Sequence, residues 1–113
     1  MHELALAESV LRIIEDAARR DGFRRVRTVW LEIGELSSVE PEAMSFCFES
    51  VAKQSVAEGA RLEIVSTKGS AWCVDCAETV AISAAGDACP RCGGYRLQVT
   101  GGAEMRVKEL EVE

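Results

Sequence analysis

Two short cysteine turns constrain this chain more than any other feature. Cys73-Val74-Asp75-Cys76 is followed, after twelve residues, by Cys89-Pro90-Arg91-Cys92-Gly93-Gly94. Two C-x-x-C turns at this separation bring four thiolates to one tetrahedral ion. Pro90 presets the second turn. Gly93 is free to take a positive φ, which lets backbone N–H groups approach the sulfurs and damp their charge. The intervening residues have room for a short hairpin around Thr79–Ile82. With so few apolar side chains, the segment depends on metal for its stability. Four thiolates without histidine favour structural Zn²⁺, with iron the weaker option and redox dithiols the metal-free one. A catalytic zinc is disfavoured, because four cysteines leave no open position for water.

The rest of the chain sets the scaffold. Of 113 residues, 13 are Lys or Arg and 19 are Asp or Glu, a net charge of −6. That balance argues against broad electrostatic binding to nucleic acid or to an anionic membrane. Neither a signal peptide nor a spanning segment is expected, so a cytoplasmic location follows. Disulfides are rare in that compartment, which strengthens the metal reading of the paired cysteines.

Leu4, Ala7, Leu11, Ile14 and Ala18, widened by Val10 and Ile13, predict a helix over 4–20. Residues 25–34 alternate as a strand through Val29, Leu31 and Ile33. Pro41 opens a second helix carrying Met44, Cys47, Phe48 and Val51, expected to end between 55 and 59. Cys47 reads as a small buried hydrophobe. Residues 60–66 form a second strand, and the segment after Gly101-Gly102 a third. The phase of its apolar positions slips between Val107 and Leu110, which suggests a bulge or a change of buried face. The expected fold is α+β: two helices packed on a three-stranded sheet, with an inserted four-cysteine zinc-ribbon-like domain. Residues 1–68 plus 102–113 form the main domain, and 69–101 the insert.

His2 is the one histidine. Methionine is not expected to be trimmed before so large a residue, which leaves the α-amine on Met1. That amine has an ordinary pKa near 8, so it yields its proton to a metal at modest cost. The amine, the His2 backbone nitrogen and an imidazole nitrogen close fused chelate rings. The Glu3 backbone nitrogen supplies a fourth position. A planar all-nitrogen set suits Ni²⁺ or Cu²⁺, whereas the thiolates suit Zn²⁺.

Together these stretches resemble one family. "MHE" opens the chain, "IGELSSVEPEAMSFCFE" spans the first strand and second helix, and "GARLEI" follows. "CVDC", "CPRCGG" and the closing "GAEMRVKELEVE" complete the pattern, which runs through essentially the whole chain. It is similar to the HypA/HybF nickel metallochaperones of [NiFe]-hydrogenase maturation. The resemblance implies transient Ni(II) cargo on His2, with Met1 and Glu3 contributing backbone nitrogens and the Glu3 carboxylate a further candidate. An acidic residue at the start of the second helix, here Glu40, is implied near nickel. Cys73, Cys76, Cys89 and Cys92 would hold structural Zn(II). Some relatives add a histidine from the zinc region to the nickel site; this chain has none there. The implied partners are a HypB-type GTPase and a hydrogenase large-subunit precursor, with no nucleic acid and no membrane; a homodimer is left open. The protein would be a metallochaperone and not an enzyme.

The competing reading is a zinc-ribbon adaptor for a nucleic-acid or transcription complex. Only Arg91 and Arg96 are basic between residues 70 and 101, which weighs against it.

Overall fold

The structure is a computed structural model that describes residues 2–113. The elements run α1 (Glu3–Asp21), β1 (Val26–Gly34), α2 (Pro41–Val51), β2 (Arg61–Thr67), β3 (Ser70–Cys73), β4 (Glu78–Ala81), β5 (Leu97–Gly101) and β6 (Met105–Val112). They build two three-stranded sheets, ordered β2-β1-β6 and β4-β3-β5. The fold is α+β, as the periodicities indicate.

The chain divides into two compact units. The first comprises the chain up to Leu31, with Val39–Ile64 and Arg106–Glu113. Here α1 packs against α2. The buried stripe of α1 is Glu3, Ala7, Val10, Ile14, Ala17 and Ala18. Leu4 and Ile13, expected on that stripe, are instead about half exposed. Each helical residue turns about 100° from its neighbour, and the buried face runs through Glu3 and Ile14 beside them. From α2 come Met44, Cys47 and Phe48, all buried, to join Val26, Val29 and Leu31 in the core of this unit.

Helix α2 ends at Val51, short of the expected 55–59. The reason is local hydrogen bonding. Ser55 turns back to donate from its hydroxyl to the Ala52 carbonyl at 2.6 Å and from its backbone N–H to the same oxygen at 3.1 Å. Gln54 takes a positive φ of 64° to allow the turn. A helix-end carbonyl is thus satisfied without another helical turn.

The second unit comprises Glu32–Ser38 and Val65–Met105. It contains the cysteine segment and also a loop from early in the chain. Leu36, from that loop, is buried in one cluster with Ala71, Cys73, Val80, Ile82 and Cys89. Its seat is closed by Gly69, whose absent Cβ would lie 2.7 Å from Leu36 Cγ. The Glu35 carboxylate accepts the Gly69 N–H at 2.8 Å, and the Leu36 N–H reaches the Gly102 carbonyl at 2.7 Å. The loop is therefore laced to both flanks of the cysteine segment by short hydrogen bonds.

Truncating Leu36 to alanine should cost about 2–3 kcal/mol, the lower part of the usual range because the side chain keeps some exposure. Native-state hydrogen exchange should show faster opening of the β3, β4 and β5 amides. Unchanged protection of those amides would remove Leu36 from the core of this unit.

Candidate metal centre

The cysteine turns are placed by a three-stranded antiparallel sheet. β3 pairs with β4 from Ser70↔Ala81 to Cys73↔Glu78, so the first turn, Cys73–Cys76, is itself the hairpin connection. Of the residues expected to form a hairpin, Thr79–Ile82, positions 79–81 instead lie in its second strand and Ile82 just beyond it. Ala77, at φ 54°, closes the turn by donating its N–H to the Cys73 carbonyl at 2.8 Å. On the other side of β3, β5 pairs Ala71↔Val99 and Cys73↔Leu97. The second turn is closed by Cys89 N–H to the Gly94 carbonyl at 2.7 Å and Gly93 N–H to the Cys89 carbonyl at 2.8 Å. Gly93 has the positive φ, 74°, that this closure requires.

The four sulfurs all lie within 4.8 Å of one another. Among the described residues no other group of three or more His, Cys, Asp or Glu side chains is close enough to hold an ion. Cys73 Sγ is 3.7 Å from Cys92 Sγ, and Cys76 Sγ is 3.9 Å from Cys89 Sγ. These separations are too long for disulfides, whose S–S bond is about 2.05 Å. They match the edge of a tetrahedron of Zn–S bonds of about 2.3 Å, which is about 3.8 Å. Backbone N–H groups of Cys76, Arg91 and Gly94 point at Cys73, Cys89 and Cys92 sulfurs, each at 3.4 Å. Such donors stabilise thiolate charge. The residues present therefore fit a structural zinc ion.

As free thiols Cys89 and Cys76 would titrate far apart. Cys89 is lowered to about 7 by the backbone N–H groups of Cys92 and Arg91, against the opposing effect of burial. Cys76 is raised to about 12, first by its hydrogen bond with Cys73 and then by burial. Around the cluster, Arg96 pairs with Asp75 at 3.0 Å and Arg91 with Glu78. Both pairs are solvent-exposed and position the turns more than they stabilise them.

The other expected site residues lie at the start of α1 and α2. Met1 is outside the described residues. His2 is the N-cap residue of α1, makes no side-chain capping bond, and has a side chain 53% exposed. Glu3 is buried, an unusual place for a carboxylate. Its Oε2 accepts the backbone N–H of Glu40 at 3.3 Å, and its Oε1 lies 3.9 Å from His2 Nδ1. The Glu40 N–H is the first cause of the lowered Glu3 pKa. Glu40 itself has an exposed side chain at the N-cap of α2. So Glu3 and Glu40 are brought together through one carboxylate and one backbone N–H. The role of the Glu3 carboxylate as a tether was not foreseen from sequence, and neither was Leu36.

The chain as a whole is similar to known proteins. Residues 1–112 match the family model described as HypA, hydrogenase/urease nickel incorporation, metallochaperone. A protein of Albidiferax ferrireducens named hydrogenase maturation factor HypA is 67% identical over all 113 residues and the whole of both chains. One of Bradyrhizobium with the same name is 58% identical over the same span. The solution structure of the Ni metallochaperone HypA from Helicobacter pylori superposes with a TM-score of 0.73 at 29% identity, covering 99% of this chain and 97% of that one.

Two pH dependences follow. Zinc must displace at least the Cys76 proton, so apparent affinity should fall at least about tenfold per pH unit between pH 8 and 6. Competition with a chelator of known affinity measures this, and a flat profile would exclude thiol ligation. For Glu3, a lowered folded pKa means stabilisation present above its ordinary value of 4.5 and lost as pH falls through the folded value. Glu3→Gln should therefore unfold more easily than the parent at pH 7 and match it once Glu3 is protonated in both states. An equal deficit at low pH would contradict the tether.

Proposed function

The chain belongs to the HypA family of hydrogenase/urease nickel-incorporation metallochaperones, and we propose that it carries Ni²⁺ at its amino-terminal end and hands it on for [NiFe]-hydrogenase maturation. The nickel ligands are the Met1 amine, the His2 backbone and imidazole nitrogens, and the Glu3 backbone nitrogen. The observation that carries this reading is an exposed His2 immediately before an anchored Glu3. Helix geometry supports it. The first four N–H groups of a helix have no intrahelical acceptor, and α1 begins at Glu3. The first helical hydrogen bond runs from Leu6 N–H to the His2 carbonyl at 3.0 Å. The amide nitrogen of Glu3 is thus not committed to the helix.

The Glu3 carboxylate then acts mainly as the tether that fixes where the chelate begins. Glu40 supplies the N–H for that tether, and its own carboxylate is exposed. Nickel is cargo: a terminal chelate exchanges ligands without moving packed side chains. Cys73, Cys76, Cys89 and Cys92 hold a resident Zn²⁺ that closes the second unit. In functional terms residues 1–68 with 102–113 carry nickel, and residues 69–101 carry zinc.

The protein binds and transfers metal and is not an enzyme. It works with hydrogenase maturation proteins: a nucleotide-hydrolysing partner of the HypB type and the large-subunit precursor that receives nickel. No helix among the described residues is long and apolar enough to cross a membrane. We place its work in the cytoplasm.

Calorimetric titration of tag-free protein with Ni²⁺ should reveal one strong site, lost in His2→Ala while zinc content stays unchanged. Extra residues before Met1 should weaken binding as well, because they remove the free amine. Equal nickel affinity in parent and His2→Ala would defeat the terminal site.

A further inference from the structure

The four cysteines are unequally sheltered. Cys73 and Cys89 are buried, Cys76 is partly buried, and Cys92 is exposed. Gly94 is part of the reason. A Cβ on Gly94 would lie 3.4 Å from Cys92 Sγ and 3.5 Å from Asp75 Oδ2, ordinary contact distances. The glycine therefore leaves open a side of the Cys92 sulfur that a larger residue would cover. Behind that sulfur, at 3.7 Å, lies Cys73 Sγ, fully buried. An exposed cysteine with a buried one at its back is the arrangement of an attacking and a resolving thiol.

We propose that Cys92 is an oxidation site for small peroxides, with Cys73 as its resolving partner and Gly94 as the opening through which the oxidant arrives. This rests on the zinc reading of the cluster, because ligation keeps Cys92 in the thiolate form that attacks a peroxide. In the first step the Cys92 sulfur attacks one oxygen of hydrogen peroxide. The O–O bond breaks, hydroxide leaves, and a solvent proton converts it to water. Cys92 is now a sulfenic acid. In the second step the Cys73 sulfur attacks the Cys92 sulfur. An S–S bond forms, the S–O bond breaks, and the second hydroxide takes a solvent proton. Two thiolates lose two electrons, and one peroxide gains two electrons and two protons to give two waters.

The consequence is specific to this geometry. The site would keep only the Cys76 and Cys89 thiolates, two ligands where zinc takes four, so the ion would be released. The new bond joins the first turn to the second, so the turns stay stapled after the metal has gone. A bond within one turn, Cys89 to Cys92, would not do this. Cys47, buried in α2, should remain reduced.

The test uses full-length zinc-loaded protein, its zinc content measured beforehand so that failure of the zinc reading is seen separately. One equivalent of hydrogen peroxide is added. Zinc release is followed with a colorimetric chelator, and thiols are trapped and mapped by mass spectrometry. The first disulfide should be Cys73–Cys92, appearing in step with zinc release and reversed by dithiothreitol with added Zn²⁺. Compared at equal zinc loading, Gly94→Val should slow the reaction several-fold, and Gly94→Ala should slow it less. A first disulfide at any other pair, or equal rates in parent and both Gly94 variants, would overturn the proposal. The mapping on the parent protein stands even if a variant folds poorly.

Discussion

Four sulfur atoms gathered within 4.8 Å are the constraint on which the second unit depends. Ionised together they repel along every one of their mutual contacts, and as thiols they fill their pocket with weak donors and acceptors. A divalent cation of tetrahedral habit removes that conflict at one stroke. The surrounding chain is arranged for it: three backbone N–H groups aim at sulfur, and the antiparallel strands β3 and β4 converge on the first turn. The apolar support is thin. Among the described residues, Leu36, Ala71, Val80 and Ile82 are the non-cysteine buried members of the cluster that backs the sulfurs. Metal ligation and this small core share the work of holding the unit together.

The amino-terminal end follows a different logic. There the chain keeps the reactive groups outside and the anchor inside. His2 is exposed, whereas Glu3 is buried and bonded to the first residue before α2. A buried carboxylate is tolerated only where its charge is met, and the Glu40 N–H meets it at the positive end of a helix. The result is a fixed starting point for α1, with the exposed His2 immediately ahead of it. The two ligand sets also differ in softness: nitrogen at the terminus, sulfur in the second unit. Under the proposed function, that difference would let one short chain hold two metals without exchanging them.

Much of this was legible in the residues. The periodicities over 4–20, 25–34 and 60–66 placed α1, β1 and β2 to within a residue or so, because local propensity and burial agree there. The two cysteine turns declared their cluster by spacing alone. What was hidden depends on contacts distant in sequence. Leu36 sits in a short turn with no periodicity to mark it, and it is buried only because residues 69–102 fold over it. Glu3 looked like an ordinary first-turn acid, and nothing local to it indicates the N–H at Glu40. Strand β5 was hidden because its edge position leaves most of its side chains exposed, so alternation is absent. The early end of α2 turns on a single serine hydroxyl returning to Ala52.

The partition of two metals between two ligand sets can be read directly by X-ray absorption at the nickel and zinc edges of protein loaded with one equivalent of each. A terminal nitrogen chelate gives a nickel shell of nitrogen or oxygen with no sulfur, alongside a zinc shell of four sulfurs. Nickel bound to sulfur, or zinc with fewer than four sulfur neighbours, would contradict it.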